Sequence, residues 1–406
     1  MHRKTNRRTA KHRLLACVAV AAIGAAAARA DETPPADWPD VPMNRVQVIG
    51  SHNSYKQPID AALLRLFSTF SAEAGALDYA HAPLEEQLEL GLRGIELDLY
   101  HDPEGGRYAT PLGLRLLKQV GAPFQPFDAG PLAEPGFKVM HVADVDFRSS
   151  QPTLRGALEV LRVWSDANPG HLPVVVTMNL KDGKSPVPGG VEPLPFDAAA
   201  LDALDAVLRA GLGEDKLLTP DMVRGDAATL ERAVRTRGWP RLSAVRGRFL
   251  FAADEGGAKR RAYTAGRPSL EGRVMFTTAA PGSPDAAVLV MNSPLRSEAA
   301  IRRRVAQGYL VRTRADALTR EARSGDTRRF EAALRSGAHV ISTDYYRPDP
   351  RFGAGYRVSF GPSPYTAPPF SSGDAERRYA RLAPAEPPPT PGATAGARPQ
   401  PEEPRP

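Results

Sequence analysis

The chain has 406 residues, of which 42% are hydrophobic and 24% charged, so it can bury a core and is too apolar for wholesale disorder. Its net charge of +7 does not signal an acidic partner, because seven of the 53 basic residues and none of the 46 acidic ones lie in residues 1–30, leaving the remainder formally neutral. The one cysteine, Cys17, also lies there, which excludes a disulfide framework, a cysteine–zinc site and a cysteine nucleophile in the rest of the chain.

Residues 1–30 read as a secretory signal. A basic stretch ends at Arg13, an apolar run extends from Leu14 to Ala28, and Ala28-Arg29-Ala30 forms a small-x-small cleavage site before Asp31. The run falls short of the ~20 apolar residues a membrane span needs. Only Leu14, Leu15 and Ala16 precede Cys17, too short a stretch for a lipoprotein signal. The expectation is a secreted or periplasmic protein. Residues 31–43 read as a linker, 44–360 as the folded unit and 361–406 as a Pro-rich, disordered tail.

Within the folded unit, short β-branched runs alternate with helical patterns. The strands are expected at 45–49, 94–100, 137–142, 173–180, 248–252, either 273–277 or 287–291, 309–313 and 338–343. Helical patterns cover 84–92, 153–167 (with Thr153 as cap), 197–210, 227–237, 298–307 and 326–336. The 61–70 stretch carries Leu63, Leu64, Leu66, Phe67 and Phe70, the pattern of a core-facing helix or of an amphipathic lip that meets lipid. Eight strands alternating with helices predict a (β/α)8 TIM-type barrel, with a doubly wound open sheet as the competitor. Both folds place their chemistry at the C-terminal ends of the strands.

Those ends carry the chemistry. Glu96 and Asp98 share one face of a strand that is otherwise apolar. Two carboxylates directed into a barrel mouth repel each other unless a cation lies between them. His52 and His141 each fall at the end of a predicted strand, where a pair of imidazoles can serve as base and acid near neutral pH. Arg312 and Arg314 share a strand face and suit an anionic phosphate. The chain lacks a His-x-x-x-His pair, a Gly-x-Ser-x-Gly elbow and a Walker loop.

At these residues the chain resembles the secreted bacterial, calcium-dependent phosphatidylinositol-specific phospholipases C. The matching stretches are Gly50-Ser51-His52-Asn53-Ser54-Tyr55, Gly94-Ile95-Glu96-Leu97-Asp98, Phe137-Lys138-Val139-x-His141, Gly308-Tyr309-Leu310-Val311-Arg312-Thr313-Arg314-Ala315-Asp316 and Ile341-Ser342-Thr343-Asp344-Tyr345. The resemblance implies a phospholipase-C-like phosphodiesterase barrel that cleaves the glycerol–phosphate bond of phosphatidylinositol-type lipids. It implies His52 and His141 as the catalytic pair, with His52 on the phosphate and leaving-group side. It implies Asn53, Glu96, Asp98 and Asn179 as ligands of Ca2+ (or Mg2+), and Lys181, Arg312, Arg314 and Tyr345 as substrate contacts. The partner it implies is a phospholipid at a membrane surface, with no nucleic acid and no stable protein partner. One departure stands out: the family pattern Glu-x-Lys-Asp reads here Asn179-Leu180-Lys181-Asp182, so a carboxylate ligand has become an amide, with Asp182 as a substitute only if its loop reshapes. The alternatives are a glycerophosphodiester-type phosphodiesterase, whose first-strand His-Arg-Gly is replaced here by His52-Asn53-Ser54, and a catalytically weakened relative.

Overall fold

A computed structural model describes residues 40–70, 74–185, 188–353, 355–361, 365–367, 369–371 and 374. The expected signal segment and the tail beyond 374 lie outside the described residues. The strands are β1 (Gln47–Ser51), β2 (Gly94–Tyr100), β3 (Lys138–Val139), β4 (Val174–Leu180), β5 (Phe249–Ala253), β6 (Phe276–Thr278), β7 (Ala286–Val290), β8 (Leu310–Arg314), β9 (Val340–Thr343) and β10 (Thr366–Ala367). β1, β2 and β4 to β9 pair in parallel around a closed ring, in the order β1-β2-β4-β5-β6-β7-β8-β9 and back to β1. Closure between β1 and β2 runs through Gly50 opposite Gly94. A Cβ built on Gly50 would lie 2.7 Å from the Gly94 Cα, so the two strands meet only because both residues lack side chains. That contact makes the sheet a barrel instead of the open doubly wound alternative.

The barrel differs from the expected strand list in two places. The 137–142 stretch supplies only Lys138–Val139, which pairs antiparallel with β2 outside the ring. The eighth barrel position is filled because both 6th-strand alternatives are real: β6 and β7 are separate strands joined by a short turn. The folded body also extends beyond residue 360. β10 pairs antiparallel with β1, and Ala367 and Phe370 are buried, so the start of the predicted tail seals the outside of the first strand.

The helices form the outer layer. Thr153 accepts from Gly156 N and caps the helix Leu154–Ala167, whose Leu154, Ala157, Leu158, Leu161 and Trp164 face inward at helical spacing. Asp197 caps Ala198–Leu212 in the same way. Ile95, Leu97 and Leu99 of β2 join the core formed with these helices. The alternate residues Glu96 and Asp98 therefore turn to the barrel interior. A separate apolar cluster, with Leu63, Leu114, Leu117, Leu132 and Phe147, joins the helices Ala61–Ser68 and Leu112–Gln119 that follow β1 and β2. Among the described residues no helix is long and apolar enough to cross a membrane.

Candidate active site

The polar residues gather at the C-terminal ends of the barrel strands. Asp98 on β2 stands opposite Asn179 on β4, and Glu96 opposite Thr177. Asn179 Nδ2 donates to Asp98 Oδ1 at 2.7 Å and to Glu96 Oε1 at 2.9 Å. Lys181 Nζ lies 2.8 Å from Asp98 Oδ2. Arg312 on β8 pairs with Glu96 Oε2 and donates to Ser342 Oγ at 3.0 Å and to Asn292 Oδ1 at 2.7 Å. The two acids are thus balanced by one arginine and one lysine. Burial opposes the charged form of Glu96, but Arg312, His52 and Arg314 outweigh it and hold the carboxyl below its usual range. Burial likewise opposes the charged form of Lys181, and Asp98 outweighs it and raises the ammonium pKa.

His52 follows β1, its backbone N–H bound to Thr343 O. Its Nδ1 lies 2.8 Å from Asp344 Oδ1, and Arg314 Nη1 donates to its Nε2 at 3.0 Å. Arg314 Nη2 also donates to Asp344 Oδ2 at 2.9 Å. With Nε2 accepting, the proton sits on Nδ1, directed at Asp344. Burial works against the Asp344 anion, but the His52 ring and Arg314 prevail and keep the carboxyl well below its usual range. Neighbouring Asp316 has the opposite fate: burial and the Asp344 charge push it up to about 7. Asp316 accepts from Asp344 N–H and contacts the Thr343 hydroxyl. His81 donates to the His52 carbonyl at 2.7 Å, and burial pulls its own pKa down to about 4.

His141 has a parallel support. Its Nδ1 lies 2.8 Å from Asp146 Oδ2, and Lys56 Nζ, fully buried, lies 2.8 Å from Asp146 Oδ1. Burial opposes the Asp146 anion, but Lys56 first and then His141 hold it ionised below the usual range. Lys56 Nζ also lies 4.9 Å from the Tyr79 ring centroid. The Tyr79 hydroxyl reaches His52 Nδ1 at 3.2 Å and accepts from Asn53 Nδ2 at 2.8 Å. One run of contacts, His141–Asp146–Lys56–Tyr79–His52, therefore joins the two histidines.

Two expected substrate contacts are placed elsewhere. Tyr345 is buried in an apolar cluster, its ring edge-on to Phe352 and Tyr356, because β9 has ended and its side chain turns outward from the barrel. Arg312 is buried with its guanidinium engaged by Glu96, Ser342 and Asn292, so it braces the carboxylate instead of facing a phosphate. Lys181 and Arg314 are the cations left nearer solvent. Asp182 does not replace the lost carboxylate: it binds Lys259 Nζ at 2.9 Å and caps Phe196 N–H. Sequence reasoning missed the roles of Asp344, Asp146, Lys56, Tyr79 and Asp316. Asp344 stands directly after a strand end, a signal available in advance; Asp146 and Lys56 lie in loops with no such marker.

The donor atoms suit a hard dication. Glu96 Oε1 and Asp98 Oδ1 converge within 2.9 Å of one point, where the Asn179 amide now stands. With that amide turned, its oxygen joins theirs. Asn53, held at a φ of 50° and bonded to Tyr79 through its nitrogen, has its amide oxygen to offer. An all-oxygen set of two carboxylates and two amides fits calcium or magnesium. Among the described residues no three His, Cys, Asp or Glu side chains cluster as a metal site, so the amides are needed to complete it.

Comparison with known proteins places this geometry. The family model described as "Phosphoinositide phospholipase C, Ca2+-dependent" matches residues 41–367. Among solved structures the chain is similar to the calcium-dependent phosphoinositol-specific phospholipase C of Pseudomonas sp in its myo-inositol complex, with 16% identity, a TM-score of 0.50 and coverage of 83% of this chain and 98% of that one. It is also similar to the Ca2+-dependent phosphatidylinositol-specific phospholipase C of Streptomyces antibioticus, with 19% identity, a TM-score of 0.47 and coverage of 77% and 98%. A search of curated proteins finds no match. The family match, carried on a closed barrel, defines a phosphoric diester hydrolase of the phospholipase C type. More particularly, the chain belongs to the Ca2+-dependent phosphoinositide phospholipase C family, whose substrates are phosphoinositide lipids.

Proposed function

We propose that the protein cleaves the glycerol–phosphate bond of phosphatidylinositol-type lipids by internal attack of a neighbouring inositol hydroxyl, with His52 and His141 as base and acid. The observation that carries this reading is the pair of histidine–carboxylate dyads, His52–Asp344 and His141–Asp146, each holding Nδ1 so that Nε2 is the reactive nitrogen.

His52 takes the hydroxyl proton at Nε2. This reverses the side expected for it, and the support is that Nε2 already accepts a hydrogen bond from Arg314 and so carries a lone pair. The hydroxyl oxygen forms its bond to phosphorus as the bond from phosphorus to the glycerol oxygen breaks. His141, protonated and held by Asp146, gives its Nε2 proton to that departing oxygen, and diacylglycerol leaves. Arg314, half-buried beside His52, and Lys181 meet the phosphate oxygens. Proximity of hydroxyl and phosphorus within one head group makes this step effectively unimolecular. Glu96, Asp98, Asn53 and Asn179 would hold calcium, which when bound would supply charge neutralisation for the phosphate and lower the pKa of a coordinated hydroxyl. The product is a cyclic inositol phosphate.

The same reading includes export through residues 1–30 and action on lipid at a membrane surface, outside the cytoplasm. The test is release of phosphorylated head group from phosphatidylinositol vesicles by the full chain with calcium, with magnesium and with chelator. Turnover restored by calcium supports the reading; turnover with magnesium alone reassigns the cation; no turnover in any arm refutes it.

A further inference from the structure

Beside the His141 support lies a cleft of about 870 Å³ that the chemistry above does not use. That volume lies within the ~300–1,000 Å³ range of small-ligand sites. Its walls include Pro58, Ile59, Ala62, Phe124, Phe127 and Phe147. One wall continues from Lys56 and the facing one from Asp146, the buried ion pair beneath His141. The two segments are tied together by Gln57 N–H to Arg148 O at 3.2 Å and Ser150 N–H to Tyr55 O at 2.8 Å. The cleft is therefore walled by the segments that continue from the ion pair supporting the histidine proposed to serve the leaving diacylglycerol.

Most of its polar lining is bound internally. Arg148 forks onto Asp60 through Nε at 2.9 Å and Nη2 at 3.1 Å, and its remaining donors bind the carbonyls of Pro126 and Gln125. Asp60 also accepts from Gln125 N–H, and Gln57 Nε2 donates to His81 O. Asp128 caps Gly130 N–H and Ser149 accepts from Gln151 N–H. A ligand that enters meets proline, aliphatic and aromatic faces alongside the paired Asp60 and Arg148 and the Arg65 side chain, and Phe127 packs edge-on against Phe147 with ring centroids 5.1 Å apart. At the rim Phe124 is 38% exposed, and on the neighbouring helix Ala61–Ser68 Leu66 and Arg65 are exposed, followed by Phe70 at 82%. That helix and Leu112–Gln119 carry Arg65, Arg115 and Lys118 and no acid, a surface complementary to anionic lipid.

We infer that this cleft seats an acyl chain of the lipid substrate, drawn from the bilayer over the Phe124 rim while the head group occupies the barrel mouth. The inference rests on the proposed assignment of His141 to the diacylglycerol side. It makes chain recognition a property of the segments 57–65 and 123–132 and separates it from head-group recognition inside the barrel.

The test compares full-length wild type with Ala62→Trp, which fills the cleft, and Phe124→Ser, a change at its exposed rim. The substrates are dipalmitoyl phosphatidylinositol in mixed micelles and its water-soluble deacylated counterpart, glycerophosphoinositol. Binding of 11-(dansylamino)undecanoic acid below its micellar concentration is read separately by fluorescence. The expected result is that wild type binds the probe, that both variants weaken that binding, and that both lower kcat/KM for the diacyl substrate by about tenfold or more, the equivalent of about two methylenes lost from an apolar seat. Activity on the deacylated substrate stays within about twofold, since its chemistry uses none of these contacts. Absence of probe binding to wild type, or an unchanged or substrate-independent effect in both variants, overturns the inference. If wild type turns over neither substrate, the proposed function fails and the probe arm alone decides the cleft.

Discussion

Asn179 faces Asp98 across the β2–β4 ladder, and its amide nitrogen lies 2.7 Å from the Asp98 carboxylate while also reaching Glu96. The amide thus stands where two carboxylate oxygens converge, at the position the family pattern gives to a third acid. A carboxylate of the same length at that position should strengthen cation binding. Asn179→Asp is expected to raise calcium affinity by about tenfold, because one more hard, charged oxygen faces the same point. Calorimetric titration of both proteins measures it. Equal affinity would mean that Asn179 is not among the ligands.

The dyads predict how each histidine depends on its carboxylate. His52→Ala and His141→Ala should each lower turnover by ~10²–10⁴-fold with the far-ultraviolet circular dichroism unchanged. Asp344→Asn and Asp146→Asn should lower kcat with little change in KM, since each acts by positioning a ring. A KM effect alone would place these acids in binding instead.

Arg312 carries a stability prediction. It is buried against Glu96, so Arg312→Met leaves a carboxylate in the barrel interior without its partner. Breaking a buried pair in this way costs about 3–5 kcal/mol, readable in urea denaturation. A double variant Arg312→Met with Glu96→Gln should recover part of the loss; no recovery would show that the pair does not interact in solution.

Asp316 and Asp344 give stability opposite slopes in different pH windows. Asp316 keeps its proton in the folded state up to about 7, whereas the unfolded chain releases it near ~3.9. Between those values the folded state binds more protons, so this group's contribution falls as pH rises and is lost above about 7. Asp344, depressed below its unfolded value, contributes stability that is present above ~4 and lost only in stronger acid. Asp316→Asn should therefore flatten the pH dependence of stability between pH 5 and 7. An unaltered slope, measured by denaturant titration at several pH values, would contradict the assignment.

An α/β fold was legible because β-branched runs alternate with helical patterns over some 300 residues, but its closure into a barrel through Gly50 and Gly94 is a tertiary contact that periodicity does not distinguish from an open sheet. The 137–142 run misled because its apolar residues pack on β2 from outside, an arrangement that composition does not distinguish from a barrel strand. β6 and β7 competed for one place because each is short and only a turn separates them. Pro-rich composition concealed Thr366–Ala367, whose pairing with β1 is a tertiary choice. At the site, spacing by two placed Glu96 and Asp98 on one face, and strand ends marked His52 and Arg314. Lys56 and Asp146 were invisible because only folding brings residues 90 apart into a buried pair.

The most direct test of the account is 31P magnetic resonance of the products formed from phosphatidylinositol by the wild-type chain in the presence of calcium. Internal hydroxyl attack predicts that a five-membered cyclic phosphate appears first, that it fails to form with chelator, and that His52→Ala and His141→Ala both suppress it. A linear inositol phosphate as the first product, with no cyclic phosphate at any time, would contradict the mechanism.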